Sequence, residues 1–510
     1  MKISVIDLGF NSVKLVNYSV ASDLSFKAEK ECSIKVRLGE GLSFNNNNSL
    51  NTHAMTKAIA ALKQFREIIH LRKIRNILPL ATSAVREASN QQEFLSLIQK
   101  ETGFRFKVLS ENEEALYSYI GASRAVWLPE AFFFDLGGGS LELVLTNDYK
   151  VKKIVSLPLG ALRLSEKYVS RSNGVLSRKD ALSLESEIND SLPSSSNLRI
   201  SSDMPLVGIG GSVRAIARYH QKITKYPLTK LHNYVMDSSS IKSIRKNLSK
   251  LSYNKIANID VVGKKRAYTI TAASFVIHAL MRKFEIDRLI VSTHGLREGY
   301  LSEYIRNPLI LSTYSLDIKK INNRVVEKQN PWDLPNQSSE FIHLLVNAGI
   351  ITWKEYQIIG FVKKMLKDPF FAQADVNVLF ELTMNETCPT LSHEDQLLLA
   401  LSLMHRRKPK NAEQLYSLYS NVFIHSTMKS VRRVALCLDI DEILERCKSR
   451  VELGSNDSHK FILKILPGSS PVPEIVIRNK IIALEAASGI MLSCFIPSRQ
   501  DRIEKLFLKP

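Results

Sequence analysis

The 510-residue chain is 45% hydrophobic and 24% charged, which excludes a disordered or fibrous polymer and is too long for one core, so about three or four domains are expected. Seventy Lys and Arg stand against fifty Asp and Glu, a formal +20 that favours polyanionic partners. The five scattered cysteines form no C-x-x-C pair, which argues against a zinc knuckle or redox motif, and no apolar run is long enough for a membrane span. A cytoplasmic chain with no signal peptide and no membrane association is the expectation.

From the start, Lys2–Gly9, Val13–Val20 and Ser25–Leu38 read as a meander of strands. Thr52–Leu71 carries Ala58, Leu62, Phe65 and Ile69 on one side, the spacing of an amphipathic helix. Strands are then predicted at Ile74–Ala81 and Phe104–Leu109, and helices at Gln91–Thr102 and Asn112–Ala125. At Ala131 the plan restarts with a hairpin around Gly137–Gly139. Strands at Val151–Leu157, Leu206–Ile209 and Arg288–Ser292 follow, with helices from Val213 and over Lys264–Lys283. Beyond about Pro308 glycine becomes scarce and amphipathic segments dominate: Ser339–Ala348, Trp353–Leu366, Glu394–Met404 and Ser430–Cys447. Near the end, FILKIL and EIVI read as two strands around a Pro/Gly/Ser turn, a small appended sheet.

Two segments share the frame D-L-G-x-x-S: Asp7–Ser12 and Asp135–Ser140. A plain turn explains one such loop; two in one frame point to a duplicated unit gripping a ligand. A strand-end carboxylate can hold magnesium through water, and Gly or Ser amides can approach phosphate oxygens closely. A third glycine segment, Gly208–Arg218, runs from a strand into a helix, whose free amides favour anions. Arg214 in its first turn opposes the helix dipole, a cost that an anion would offset. Arg86 in ATSAVREA and Arg297 in HGLREG follow strands in the same way. Glu113 and Glu114 open the helix of SENEEA. Acidic residues there suit the dipole, and one of them turned into a cleft could activate a water. No G-K-[ST] occurs, so this is no Walker loop.

Together and in this order, the six motifs DLGFNS, ATSAVREA, SENEEA, DLGGGSLEL, GIGGSVRA and HGLREG resemble the exopolyphosphatase / guanosine pentaphosphate phosphohydrolase (Ppx/GppA) family over Lys2–Tyr304. The resemblance implies an α/β fold of two actin/hexokinase/Hsp70-like (RNase-H-like) domains around a cleft, at 1–126 and 127–307. A mainly helical HD-like domain at 308–455 and a small α/β segment at 456–510 would follow. It also implies roles. Glu114, Asp135 and Glu142 would be catalytic, with Glu114 activating water. Asp7, Asp135 and Glu142 would hold Mg2+ or Mn2+. Asn11, Ser12, Arg86, Gly137, Gly138, Gly139, Ser140, Gly211, Ser212, Arg214 and Arg297 would bind substrate.

The departures are specific. Phe10 replaces the serine of the usual first loop, Glu111 replaces a frequent glycine, and Arg214 stands where lysine also occurs. In the C-terminal part no His is followed by Asp, so no second phosphohydrolase centre is expected. The implied activity is release of orthophosphate from the end of inorganic polyphosphate. Hydrolysis of guanosine pentaphosphate (pppGpp) and a non-catalytic polyphosphate or nucleotide sensor are the alternatives. An ATP-dependent sugar kinase fits the SENEEA and HGLREG segments less well, and no basic–aromatic nucleic-acid module appears. A homodimer joined through the helical region is expected.

Overall fold

The computed structural model describes residues 1–42, 47–169, 175–194, 203–306, 318, 322, 339–367, 369–385, 391–457, 460–466 and 468–497. The chain forms two compact units, Met1–Gln329 and Asn330–Pro510. The expected boundary at 307/308 falls outside the described residues.

The first unit contains the same plan twice. Its first half runs β1 (Lys2–Leu8), β2 (Ser12–Val20), β3 (Phe26–Lys35), α1 (Thr52–Leu71), β4 (Asn76–Ala81), α2 (Ser83–Arg86), α3 (Gln91–Thr102), β5 (Lys107–Val108) and α4 (Glu111–Ala125). The strand order is β3-β2-β1-β4-β5, antiparallel through the meander and parallel from β1 onward. The second half runs β6 (Ala131–Leu136), β7 (Leu141–Asn147), β8 (Lys150–Leu157), α5 (Ala161–Tyr168), α6 (Arg178–Ser191), β9 (Leu206–Ile209), α7 (Gly211–Ile223), β10 (Val235–Asp237), α8 (Ser238–Ser249), α9 (Tyr253–Ala257), α10 (Gly263–Arg266), α11 (Ile270–Lys283), β11 (Arg288–Val291) and α12 (Leu296–Arg306). Its order, β8-β7-β6-β9-β11, repeats the first sheet and adds β10 as an antiparallel edge. The central strands are apolar on both faces because helices cover both sides. Phe132 and Phe134 belong to one core, while Phe133 belongs to another with Tyr117 and Tyr119.

Helix α4 starts with a complete capping box, Ser110 and Glu113 bonding each other's backbone amides. It packs on α12 at very short range. A Cβ on Gly299 would lie 1.8 Å from the Tyr117 carbonyl oxygen, and one on Gly121 2.0 Å from that of Gly295. Glycine is therefore required on both helices.

Two expectations need correction here. The helix predicted over Lys264–Lys283 is broken: α10 ends at Arg266 and α11 begins at Ile270. EIVI is not a strand but the first turn of a helix, Glu474–Ser488. Ile477, Ile481 and Leu484 are buried at helical spacing, and Gly489 ends the helix with φ +74°. The β-branched residues suggested a strand, but the longer apolar period decides.

In the second unit, helices at Glu340–Asn347, Trp353–Leu366, Val376–Asn385, His393–Arg407, Pro409–Leu418 and Met428–Cys447 precede a three-stranded sheet. Its order is β12 (Arg450–Asp457), β13 (Lys460–Leu466), β14 (Met491–Phe495), with β13 carrying FILKIL. Arg433 and Glu355, both largely buried, join two of these helices through several hydrogen bonds, the shortest 2.6 Å. No helix among the described residues is long and apolar enough to cross a membrane.

Candidate active site

The two D-L-G loops join β1 to β2 and β6 to β7, and the same backbone bond closes each of them. The Gly9 amide donates to the Ser12 carbonyl and the Gly137 amide to that of Ser140, each at 3.1 Å. Asp7 pairs in register with Lys14, and Asp135 with Glu142. In both loops the carbonyls are engaged from behind. Those of Phe10 and Asn11 accept from Gly39, Val36 and Arg37, and those of Gly137, Gly138 and Gly139 accept from the Gly160–Arg163 amides that open α5. The amides of Phe10, Asn11, Gly138 and Gly139 have no hydrogen-bond partner among the described residues. The Asn11 side-chain oxygen is buried and also unpartnered. Free amides in a concave turn form an anion site.

A cavity of about 120 Å³ lies between the loops. Asp7, Asn11, Ser12, Glu114, Asp135, Gly137, Gly138, Ser140, Gly211, Arg214 and Arg297 all line it. The third glycine segment closes one side. Gly210, at φ +100°, caps α7, and a Cβ there would lie 2.8 Å from an Asp135 carboxylate oxygen. Only glycine combines that φ with that approach.

A wider chamber of about 460 Å³ shares Lys14, Arg214, Arg266 and Arg297 with this cavity and adds Arg218, opposed by Glu31 and Glu298. Arg214 donates to the Thr293 carbonyl at 3.0 Å. Arg266 lies over Gly211, where a Cβ would come within 1.9 Å of its guanidinium. Burial, followed by Arg214 and Arg218 nearby, lowers its pKa to about 10. Arg297 pairs with Glu31 at 3.2 Å, and although burial opposes its charge, Glu298, Tyr18, Glu31 and Asp7 together raise its pKa. Glu298 is itself held by the Tyr18 hydroxyl (2.5 Å) and the Gly295 amide (2.9 Å). Burial and three neighbouring arginines bring the Lys14 amine down to about 8, against the pull of Asp7 at 3.9 Å. Five cations against Glu31 and Glu298 leave the wider chamber with an excess of buried positive charge that a polyanion would offset.

The carboxylates form the opposite wall. Burial raises Glu114 to about 7, even though Arg86 donates to it at 2.7 Å. Asp135 is raised by burial while accepting from the Ser118 hydroxyl at 2.6 Å. Glu142 is pushed well up by burial, with Glu114 and Asp135 adding to it. A glutamate near 7 suits a general base at neutral pH.

Four expected site residues stand back from the cavity. Arg86 lies behind Glu114, bound to it and to the Leu109 carbonyl, with its Nε and Nη2 buried and unpartnered. Glu142 is 2% exposed, with Oε1 unpartnered. Gly139 packs under the Phe10 ring, and Ser212 is buried in the first turn of α7. Lys14, Arg218, Arg266 and Glu298 were not singled out from the sequence. The strand pairing of Lys14 opposite Asp7 was a usable signal; Arg266 lies in a basic run, GKKR, that looks like a solvated turn.

Among the described residues no three His, Cys, Asp or Glu side chains converge into a metal cage. Magnesium needs none, since it keeps several waters and takes one or two carboxylates plus substrate oxygens. Asp7 and Asp135 at the cavity wall and the free Oε1 of Glu142 suit a hydrated ion of that kind.

Comparison with known proteins gives a consistent picture. Exopolyphosphatase 1 of Mycobacterium leprae is 25% identical over 305 residues, 59% of this chain and 88% of that one. A bifunctional 3-dehydroquinate synthase/phosphatase of Fusobacterium nucleatum is 27% identical over 315 residues, but the match spans only 46% of its length. Among solved structures, the Aquifex aeolicus PPX-GPPA enzyme is 26% identical with a TM-score of 0.50, covering 59% of this chain and 99% of its own. An exopolyphosphatase from Cytophaga hutchinsonii shares the fold at 23% identity and a TM-score of 0.56, covering 60% of this chain and 98% of its own. The family model matches residues 21–307, more than half of the chain, and the chain belongs to the Ppx/GppA phosphatase family.

Proposed function

We propose that this chain hydrolyses the terminal phosphoanhydride of inorganic polyphosphate. One observation carries the reading: a glutamate with a pKa near 7 faces a small cavity of free backbone amides that opens into a chamber walled by Lys14, Arg214, Arg218, Arg266 and Arg297. The terminal phosphoryl group fits the small cavity, and the preceding phosphates fit the basic chamber.

Glu114 takes a proton from water as the water oxygen bonds to the terminal phosphorus. The bridging P–O bond breaks, and its electron pair stays on the shortened chain, whose new terminal oxygen is an oxyanion. Orthophosphate is the other product. Free amides of the two loops and the buried arginines stabilise the charge spread over the phosphoryl oxygens. Asp7, Asp135 and Glu142 are the donors available to Mg2+ or Mn2+, which would neutralise phosphate charge when bound.

The test is orthophosphate release from long-chain polyphosphate and, in parallel, from pppGpp. Wild type and Glu114→Gln are compared with magnesium and with chelator. Polyphosphate consumption that needs magnesium and is nearly lost in Glu114→Gln supports the proposal. Cleavage of the nucleotide alone replaces the substrate. Tight binding with cleavage of neither makes the protein a sensor.

A further inference from the structure

Phe10 lines the cavity, but its ring is packed among glycines rather than projecting as an obstacle. Phe10 is 3% exposed, and its ring is held between Gly39 of the first half and Gly139 of the second. Glycines on both sides make room for it. A Cβ on Gly39 would lie 2.4 Å from the ring tip, and one on Gly139 2.3 Å from the ring edge. Gly138 approaches its Cβ more loosely, at 3.1 Å. The Arg163 guanidinium sits over the ring, 5.5 Å from its centre. The same arginine donates to the Gly139 carbonyl at 2.9 Å and pairs with Glu87, back in the first half, at 2.5 Å. Ring, glycine, arginine and glutamate therefore cross between the halves twice within a few ångströms of both anion loops.

We infer that Phe10 is a positioning residue: it clasps the two loops together at their working separation before any anion arrives. Two loops that meet only through their ligand must be drawn together by it, and part of the binding free energy is spent on that closure. Here the ring supplies the contact in advance, with Arg163 stacked on it. The inference rests on the hydrolase reading only for its kinetic arm; the structural arm stands on the unliganded protein.

The consequence is a split between KM and kcat. If losing the ring lowers the closed fraction to about a tenth, the apparent KM rises about tenfold while the rate at saturation is kept. A residue that only stabilised the core would not produce this pattern.

The experiment compares wild type, Phe10→Ser and Phe10→Leu. Backbone hydrogen exchange is followed over Gly9–Ser12 and Gly137–Arg163, with and without long-chain polyphosphate, alongside KM and kcat for its hydrolysis with magnesium. Thermal melts verify folding, and Phe10→Leu, which keeps an apolar contact, covers a failure of the serine variant to fold. In wild type the hydrogen-bonded amides of both segments, Gly9, Gly137 and Gly160–Arg163, should be protected without ligand and change little on its addition. In Phe10→Ser, exchange of unliganded Gly137–Arg163 should rise several-fold, polyphosphate should restore protection, and KM should rise with kcat held within about twofold. Phe10→Leu should fall between. Unchanged exchange at Gly137–Arg163 in folded Phe10→Ser overturns the clasp, as does a loss confined to kcat. Absence of polyphosphate hydrolysis in wild type would sink the substrate reading alone, because exchange of the unliganded protein still decides the clasp.

Discussion

Replacing Arg86 by methionine should move the pH profile of the enzyme rather than simply lower it. Arg86 reaches Glu114 at 2.7 Å, and the two side chains are only 16% and 12% exposed. Unit charges about 4 Å apart interact by ~4 kcal/mol at an effective dielectric of 20, and that corresponds to roughly 3 pK units. Residual solvent at the rim trims this to about 1–3 units. Glu114 starts near 7 because burial already raises it and Arg86 opposes that rise. Without the guanidinium its pKa should reach roughly 8–10. At pH 7 the deprotonated fraction, and with it kcat/KM, should fall roughly 5- to 500-fold. Most of that loss should be recovered as the pH approaches 10. The assay is initial phosphate release from polyphosphate between pH 6 and 10, for wild type and Arg86→Met. An acid limb that stays near 7, or a uniformly lower profile with no alkaline recovery, would refute the assignment of Glu114 as the base whose proton Arg86 controls.

Two further outcomes concern stability. Glu142 has a folded pKa raised well above its ordinary value by burial. Its contribution is therefore fully present below the unfolded value and is lost as pH rises toward the folded one. Glu142→Gln should gain stability over wild type in urea unfolding at pH 8 but not at pH 4.5; an equal effect at both would contradict a buried, uncompensated carboxylate. In the second unit, Arg433→Ala leaves the 2%-exposed Glu355 side chain without its partner and should destabilise that unit by about 3–5 kcal/mol, read as a lower urea midpoint of the full chain. A midpoint unchanged within error would show that water replaces the guanidinium freely.

The duplicated plan was legible because its signals are local. A strand ending in Asp-Leu-Gly and followed by Ser needs no distant partner to be read, and both hairpins fall where the motif places them. The helix start offered Glu113 and Glu114 alike, and the family resemblance singled out Glu114, which lines the cavity while Glu113 closes the capping box. What stayed hidden depends on packing. Arg266 belongs to a short basic run, and only the close approach of α10 to Gly211 turns it inward. Glu298 looks like an ordinary acidic residue of a first turn until Tyr18, 280 positions away, bonds to it. The sheet of the second unit was half seen. FILKIL alternates as a strand should, but β12 carries the polar run ELGSND and β14 is only five residues long. The EIVI error arose because four residues are too few to separate the period of a strand from that of a helix.

The paired hairpins carry one more consequence. Their backbones are equivalent, with the same Gly-to-Ser bond and the same register, yet the residue opposite the aspartate is Lys14 in one and Glu142 in the other. A cleft built from two identical halves would offer a chain molecule two equivalent orientations, one the reverse of the other. Unlike residues at equivalent positions, Phe10 against Gly138, Asn11 against Gly139 and Lys14 against Glu142, remove that degeneracy. The doubled architecture thereby acquires a head and a tail, so that the small cavity and the basic chamber are distinct ends of one path, whichever end of a chain ligand enters first.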